Sequence, residues 1–231
     1  MLQKNWSELI KPSKMEVNVE ESNGKVGVLT AEPLERGFGL TLGNSIRRIL
    51  LSSLQGAAIT SIKIKGVVHE FSTIQGVKED LTDILLNLKS VAVKVHSPGL
   101  KKMYLKPSGS GELRAGNFET DSETEIMNPD KLIMTLDSNA DVEIEANIET
   151  GKGYVSAEVA EDENKIIGEI KLDAMFSPVV RASYKVENSR VGQVTDYDKL
   201  IFEVETNGVI TPDDAIALAA RIIQDQLQPF I

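Results

Sequence analysis

One stretch, residues 34–53 (LERGFGLTLGNSIRRILLSS), limits the architectures open to this chain. Advanced by about 100° per residue, it spreads Phe38, Leu40, Leu42, Ile46, Ile49, Leu50, Leu51 and the following Leu54 over more than half of a helix circumference. A surface helix needs an apolar stripe of only about 100°, so a single sheet face cannot cover this one. The remaining arc carries Thr41, Asn44, Ser45, Arg48 and Ser52, small or polar residues around one arginine. Arg47 falls on the apolar side, where its stem must pack and its guanidinium must find a partner. The helix therefore has three surfaces to satisfy: the chain's own core, a second copy of the chain, and a larger protein docking near Arg48.

Composition removes several function classes. The 231 residues can bury a real core in one large or two small domains. There is no cysteine, which excludes disulfides and thiolate metal sites. His69 and His96 are far apart, so a histidine-based metal centre is not expected, and no cofactor is implied. A net charge of −10 argues against direct nucleic-acid binding, which draws most of its affinity from phosphate neutralisation. Met1 to Lys14 holds no continuous apolar run, so neither a signal peptide nor a membrane span is expected, and the expected compartment is the cytoplasm.

Taken in order, Met15, Val17 and Val19, then Val26 and Val28, alternate about Asn23-Gly24 as a hairpin, with Glu32-Pro33 ending its second strand. The helix follows, closed by Gln55-Gly56. From Ala57 the texture becomes strand-like: Ile59–Ile64, Val91–His96, Met103–Lys106, Leu132–Leu136, Val142–Ile148 and Ile166–Leu172. One helical spacing interrupts them, Val77 through Leu88. Ser177-Pro178 marks a return, and Arg181–Val186 and Leu200–Glu205 read as strands of the first sheet. Thr211-Pro212-Asp213-Asp214 opens a second helix with an N-cap, a proline at the first helical position and a capping box through Asp214. The predicted fold is α+β in two domains. Residues 1–54 plus 179–231 form an α/β dimerisation domain with two long amphipathic helices, and 55–178 form an inserted, mostly β domain.

The second helix repeats the problem of the first. Ile216, Ala219, Ala220, Ile223, Leu227 and Phe230 form a stripe that Leu218 and Ile222 widen. Leaving half a dozen large side chains wet costs on the order of 10 kcal/mol, comparable to a domain's net stability. A two-fold dimer uses one patch twice to solve this. Packing of the two faces on each other within one chain solves it too, and the pattern alone leaves both open.

Three local patterns invite chemistry. Gly37-x-Gly39-x-x-x-Gly43 before a helix suggests a dinucleotide turn, but position 42 is Leu42 and no acidic residue stands about twenty positions on at a strand end. The glycines read better as close-packing positions. A small nucleotide-binding enzyme using the Gly37–Gly43 turn is the alternative function. His69 and Glu70, read on a strand, point to opposite faces and make no catalytic dyad. Glu161-Asp162-Glu163 reads as a solvated loop. No catalytic residue is assigned.

The run LERGFGLTLGNSIRRILLSS resembles the opening helix of the amino-terminal domain of bacterial DNA-directed RNA polymerase alpha subunits. Gly66–Thr73 (GVVHEFST), Lys78-Glu79-Asp80 through Leu85–Lys89, and Thr195–Leu200 through Glu205–Gly208 resemble the same family. The resemblance implies a non-catalytic subunit of a nucleotidyltransferase, a homodimer that recruits the beta and beta-prime subunits for transcription. It implies a dimer interface of Phe38, Leu42, Ile46, Ile49, Leu50, Ile223, Leu227 and Phe230. It implies a beta-subunit contact at Arg48, with Asn44, Leu51, Ser52, His69 and Glu70, and a beta-prime contact at Lys89, Arg181 and Tyr184. Glu161, Asp162 and Glu163 would meet transcription activators. Family members continue into a small DNA-binding domain, so a chain ending at Ile231 is expected to be a shortened form.

Overall fold

The computed structural model describes residues 9–19, 24–67, 69–107, 109–157, 168–192 and 194–231. The chain first forms β1 (Lys14–Val19), β2 (Val26–Leu34) and α1 (Phe38–Ser52). A continuous central segment follows with β3 (Gln55–Ile64), α2 (Leu81–Lys89), β4 (Val93–Val95), β5 (Lys101–Leu105), β6 (Gly111–Arg114), β7 (Thr124–Ile126) and β8 (Leu132–Leu136). It ends with β9 (Ile144–Lys152), β10 (Tyr154–Val155), β11 (Glu169–Lys171) and β12 (Ala174–Met175). The hairpin β13 (Val179–Val191) and β14 (Val194–Thr206) and the helix α3 (Pro212–Leu227) complete the chain. The fold is α+β with strands predominating. Among the described residues the α-helices are three, of 15, 9 and 16 residues, and the two expected to be long and amphipathic are α1 and α3. None is long, because β3 begins three residues after α1 and Pro229 turns the end of α3 into a 3-10 segment, Gln228–Phe230.

The chain divides into a discontinuous unit, Met1–Leu54 with Val179–Ile231, and a central unit, Gln55–Pro178. The discontinuous unit is an antiparallel sheet in the order β1-β2-β14-β13 with both helices on one face. α1 lies chiefly over β13 and β14, while α3 also reaches β2 and β1. Leu29, Phe202, Leu200 and Val204 from the strands meet Ile46 and Leu50 of α1 and Ala215, Ile216 and Ala219 of α3. The opposite sheet face mixes charged side chains with Val26, Val28 and Ile201. There Arg181 pairs with Glu203 and Glu205, and Lys185 with Glu187.

The central unit closes on itself. β3 is the hub of a sheet ordered β5-β9-β3-β4-β7, with β11 also on β3. Ile62, Ile64, Met103, Ile144, Ala146 and Ile148 present one face to Leu81, Ile84, Leu85 and Leu88 of α2 and to β8. The strands β6, β7, β10 and β12 are too short for their alternation to be visible in sequence.

Several local expectations are corrected. Glu32-Pro33 does not end β2. The strand runs on to Leu34, with those two residues opposite the single Lys199 in a bulge, a setting that tolerates a proline lacking an N–H. Asp214 completes no capping box. Its amide donates to Thr211 Oγ at 3.4 Å, but its short carboxylate accepts from the Thr211 hydroxyl instead of reaching the Thr211 amide. Of the expected Asn23-Gly24 turn, Asn23 lies outside the described residues, and Gly24 has a left-handed φ of 64°.

Candidate functional site

The start of α1 is fixed by residues distant in sequence. Gly37, at a left-handed φ of 87°, donates its N–H to Asp198 Oδ2 at 2.8 Å, and Gly39 donates to the same oxygen at 3.0 Å. A helix N-terminus attracts an anion, and here a carboxylate from β14 already fills that role. This leaves the Gly37–Gly43 turn without the free amides that a nucleotide phosphate needs. A Cβ on Gly39 would lie 2.8 Å from Val186, and one on Gly43 only 2.5 Å from the Tyr184 ring. The two glycines thus let α1 sit directly on β13.

Tyr184 is the platform. Its half-buried ring stacks on Phe202 with centroids 6.0 Å apart and packs under Gly43. Tyr184, the expected beta-prime contact, is thus half-buried by its own chain. Arg47 finds the partner its position demanded, its Nε donating to the Ala182 carbonyl at 3.1 Å.

The outer side of α1 carries an exposed stripe of Thr41, Asn44, Arg48 and Ser52. Ser52 Oγ donates to the Arg48 carbonyl at 2.7 Å, and the half-buried Leu51 borders the stripe. The Arg48 guanidinium has no hydrogen-bond or ion-pair partner among the described residues. Five fixed donors on an otherwise small-residue surface suit bidentate capture of a carboxylate or of backbone carbonyls.

The apolar residues of α1 and α3 separate into two sets. Ile46 and Leu50, expected at the dimer interface, are buried in the unit's own core. Leu42, Ile49 and Ile223 are half-buried against that core. Phe38, Leu40, Leu218 and Leu227 are exposed, and Phe230 is 86 % exposed at the chain's end. Contiguous exposed apolar surface marks an interaction site, and Phe38 on α1 and Leu227 with Phe230 at the end of α3 are the exposed candidates.

In the central unit, His69 and Glu70 lie in a turn and not on a strand, so the argument from opposite strand faces does not apply to them. His69 Nδ1 is 3.2 Å from Ser72 Oγ, and no contact joins His69 to Glu70 among the described residues. Next to them Phe71 is 81 % exposed, an aromatic that the sequence reading did not single out. Its signal was present: a phenylalanine inside a polar turn sequence has no apolar periodicity to bury it. Lys89 and Arg181 are both engaged, Lys89 with Asp173 at 2.7 Å and Arg181 with Glu203 at 2.6 Å. Glu161, Asp162 and Glu163 lie outside the described residues. Among the described residues no group of three or more metal-ligating side chains converges, and no helix is long and apolar enough to cross a membrane.

Residues 62–177, half of the chain and all within the central unit, match the family model described as the RNA polymerase Rpb3/RpoA insert domain.

Proposed function

The chain belongs to the RNA polymerase Rpb3/RpoA insert-domain family, and from that premise we propose that it is a dimeric scaffold on which a bacterial-type polymerase assembles. It is an RNA polymerase subunit of the alpha/Rpb3 type. In our reading the discontinuous unit holds two copies of the chain together through Phe38, Leu227 and Phe230, flanked by Leu42, Ile49 and Ile223. The Arg48 stripe, with Asn44, Leu51 and Ser52, recruits the beta subunit, joined by the His69–Glu70 turn. Lys89 and Arg181 meet beta-prime. Catalysis belongs to the larger subunits.

The observation that carries this reading is the division of labour around α1. One face is consumed by β13 and the core, a second exposes Phe38 beside the half-buried Leu42 and Ile49, and a third presents Arg48, without a partner among the described residues, amid small residues. A helix serving only its own fold needs the first face alone.

Light scattering on the chain, alone and with purified beta subunit, tests the proposal. A dimer alone and a complex of two chains with one beta are expected. A monomer that ignores beta overturns it. Arg48→Ala is expected to preserve the dimer and the melting temperature while abolishing beta binding, because an exposed, unpaired side chain contributes little to stability. Wild-type beta binding by this variant would remove Arg48 from the contact.

A further inference from the structure

We propose that Asp173 is a positioning residue, holding Lys89 and the β10–β12 strand pair together as one contact surface for the partner that Lys89 meets; this rests on the reading of Lys89 as a subunit contact. Lys89 is the last residue of α2, and its Nζ lies 2.7 Å from Asp173 Oδ2. The other carboxylate oxygen, Oδ1, accepts the Ala157 N–H at 3.0 Å. Asp173 directly precedes β12, and Ala157 lies two residues after β10. One carboxylate thus joins the end of α2 to both strands of a ladder in which Tyr154 faces Met175 and Val155 faces Ala174.

Beyond the packing of Ala174 on Ala58 of β3, Asp173 is a further tie on that short ladder. Two residues per strand give too little pairing to be stable alone, and Tyr154 and Met175 are 59 % and 60 % exposed. Leu86, one turn before Lys89 on α2, is 58 % exposed. Large apolar side chains therefore flank the ammonium. An ammonium has three donors and Asp173 Oδ2 takes one, which leaves two for a partner. The chemistry that fits is a protein surface with apolar side chains beside a carboxylate or a row of backbone carbonyls. The Ala157 amide, the Lys89 ammonium and the Tyr154 hydroxyl together hold the Asp173 carboxyl below its ordinary range, so it stays ionised near neutrality. Partly exposed ion pairs of this kind add little to stability, so a loss of binding can be read apart from a loss of fold.

The test is capture of beta-prime by the full chain already bound to beta, read as a dissociation constant beside the melting temperature. Asp173→Asn removes the charge and keeps the shape. It is expected to weaken capture about ten-fold, less than the roughly thirty-fold loss that marks a hot-spot residue, with self-association, beta binding and melting unchanged. Lys89→Ala is expected to lose as much, Tyr154→Ala to lose part, and Asp173→Glu to recover most of the affinity. Normal capture by Asp173→Asn alongside loss in Lys89→Ala overturns the positioning role and leaves the Lys89 contact standing. Normal capture by Lys89→Ala overturns the contact itself. Loss in Asp173→Asn together with beta binding or with the melting transition makes the residue merely structural and overturns the proposal too.

Discussion

Leu88 near the end of α2 and Leu227 at the end of α3 occupy the same kind of position, the last apolar residue of an amphipathic stripe. Leu88 is fully buried and Leu227 is 53 % exposed. The difference lies in what surrounds each helix. α2 lies in a unit whose six-stranded sheet, β8 and connecting loops meet its stripe from several sides. α3 lies on one face of a four-stranded sheet, beside α1, with no further layer over them among the described residues of that unit. The central unit is therefore built to complete its own core. The discontinuous unit, as far as its residues are described, is a sheet with one helical layer, and that layer keeps Phe38, Leu40, Leu218 and Leu227 exposed, the surface that the proposed dimer would use.

The largest expected effect separates the two leucines. Leu88→Ala should destabilise the chain by about 2–5 kcal/mol, the range for emptying a packed aliphatic site, at any protein concentration. Leu227→Ala should change stability by less than about 0.5 kcal/mol in a dilute sample. In a concentrated sample the wild type should gain stability by mass action while this variant gains less. Urea unfolding at two concentrations a hundred-fold apart reads both. Equal, concentration-independent losses would erase the distinction between the helices.

The next effect concerns how closely α1 approaches β13. Gly43→Ala adds intrinsic helix propensity of about 0.8–1.0 kcal/mol, yet the new Cβ would lie 2.5 Å from the Tyr184 ring. The clash should win, with a net loss of about 1–3 kcal/mol. In a Tyr184→Ala background the same change should be neutral or stabilising, a non-additivity that a double-mutant cycle measures. Additive losses would mean that the ring is not what requires the glycine.

These cases also show how far the sequence could be read. Alternation marked the β13–β14 hairpin, though it runs well beyond the predicted Arg181–Val186 and Leu200–Glu205, and Thr211-Pro212 fixed the start of α3. Apolar spacing announced that α1 had too much hydrophobic surface. It could not divide Leu50, which is buried, from Phe38, which is exposed, because both are simply apolar until the sheet's position is known. The tertiary partners left no local trace at all. Asp198 reaches Gly37 across 161 positions and Asp173 reaches Lys89 across 84, and neither carboxylate sits in a pattern that predicts its target. Arg181 and Tyr184, three apart on one strand, were grouped by resemblance. The pleat sends them to opposite faces, one to the side with Glu203 and the other under α1.

The smallest expected effect asks whether the start of α2 is held by the central unit's own chemistry. Glu79 precedes α2, and its carboxylate accepts the Thr135 N–H at 2.7 Å and the Thr135 hydroxyl at 2.8 Å, tying the helix start to β8. Burial pushes this carboxyl up, but the two Thr135 hydrogen bonds and nearby Lys78 outweigh it, leaving the group below its ordinary value of 4.5. The folded chain thus binds this proton less readily than the unfolded one. The stabilisation is complete above the ordinary glutamate range and is lost as pH falls through the depressed folded value. Glu79→Gln should therefore destabilise the central unit slightly at neutral pH and flatten the acid limb of its stability profile, with the two proteins converging once the pH is below the depressed folded value. Hydrogen exchange of the α2 and α1 amides across the acid range reads the two units separately. A flattened acid limb at α2 with an unchanged one at α1 is expected, since Thr135 and Glu79 both lie in the central unit. An equal change at α1 would mean that the two cores unfold as one, and the contrast between a self-sufficient unit and a partner-dependent one would have to be abandoned.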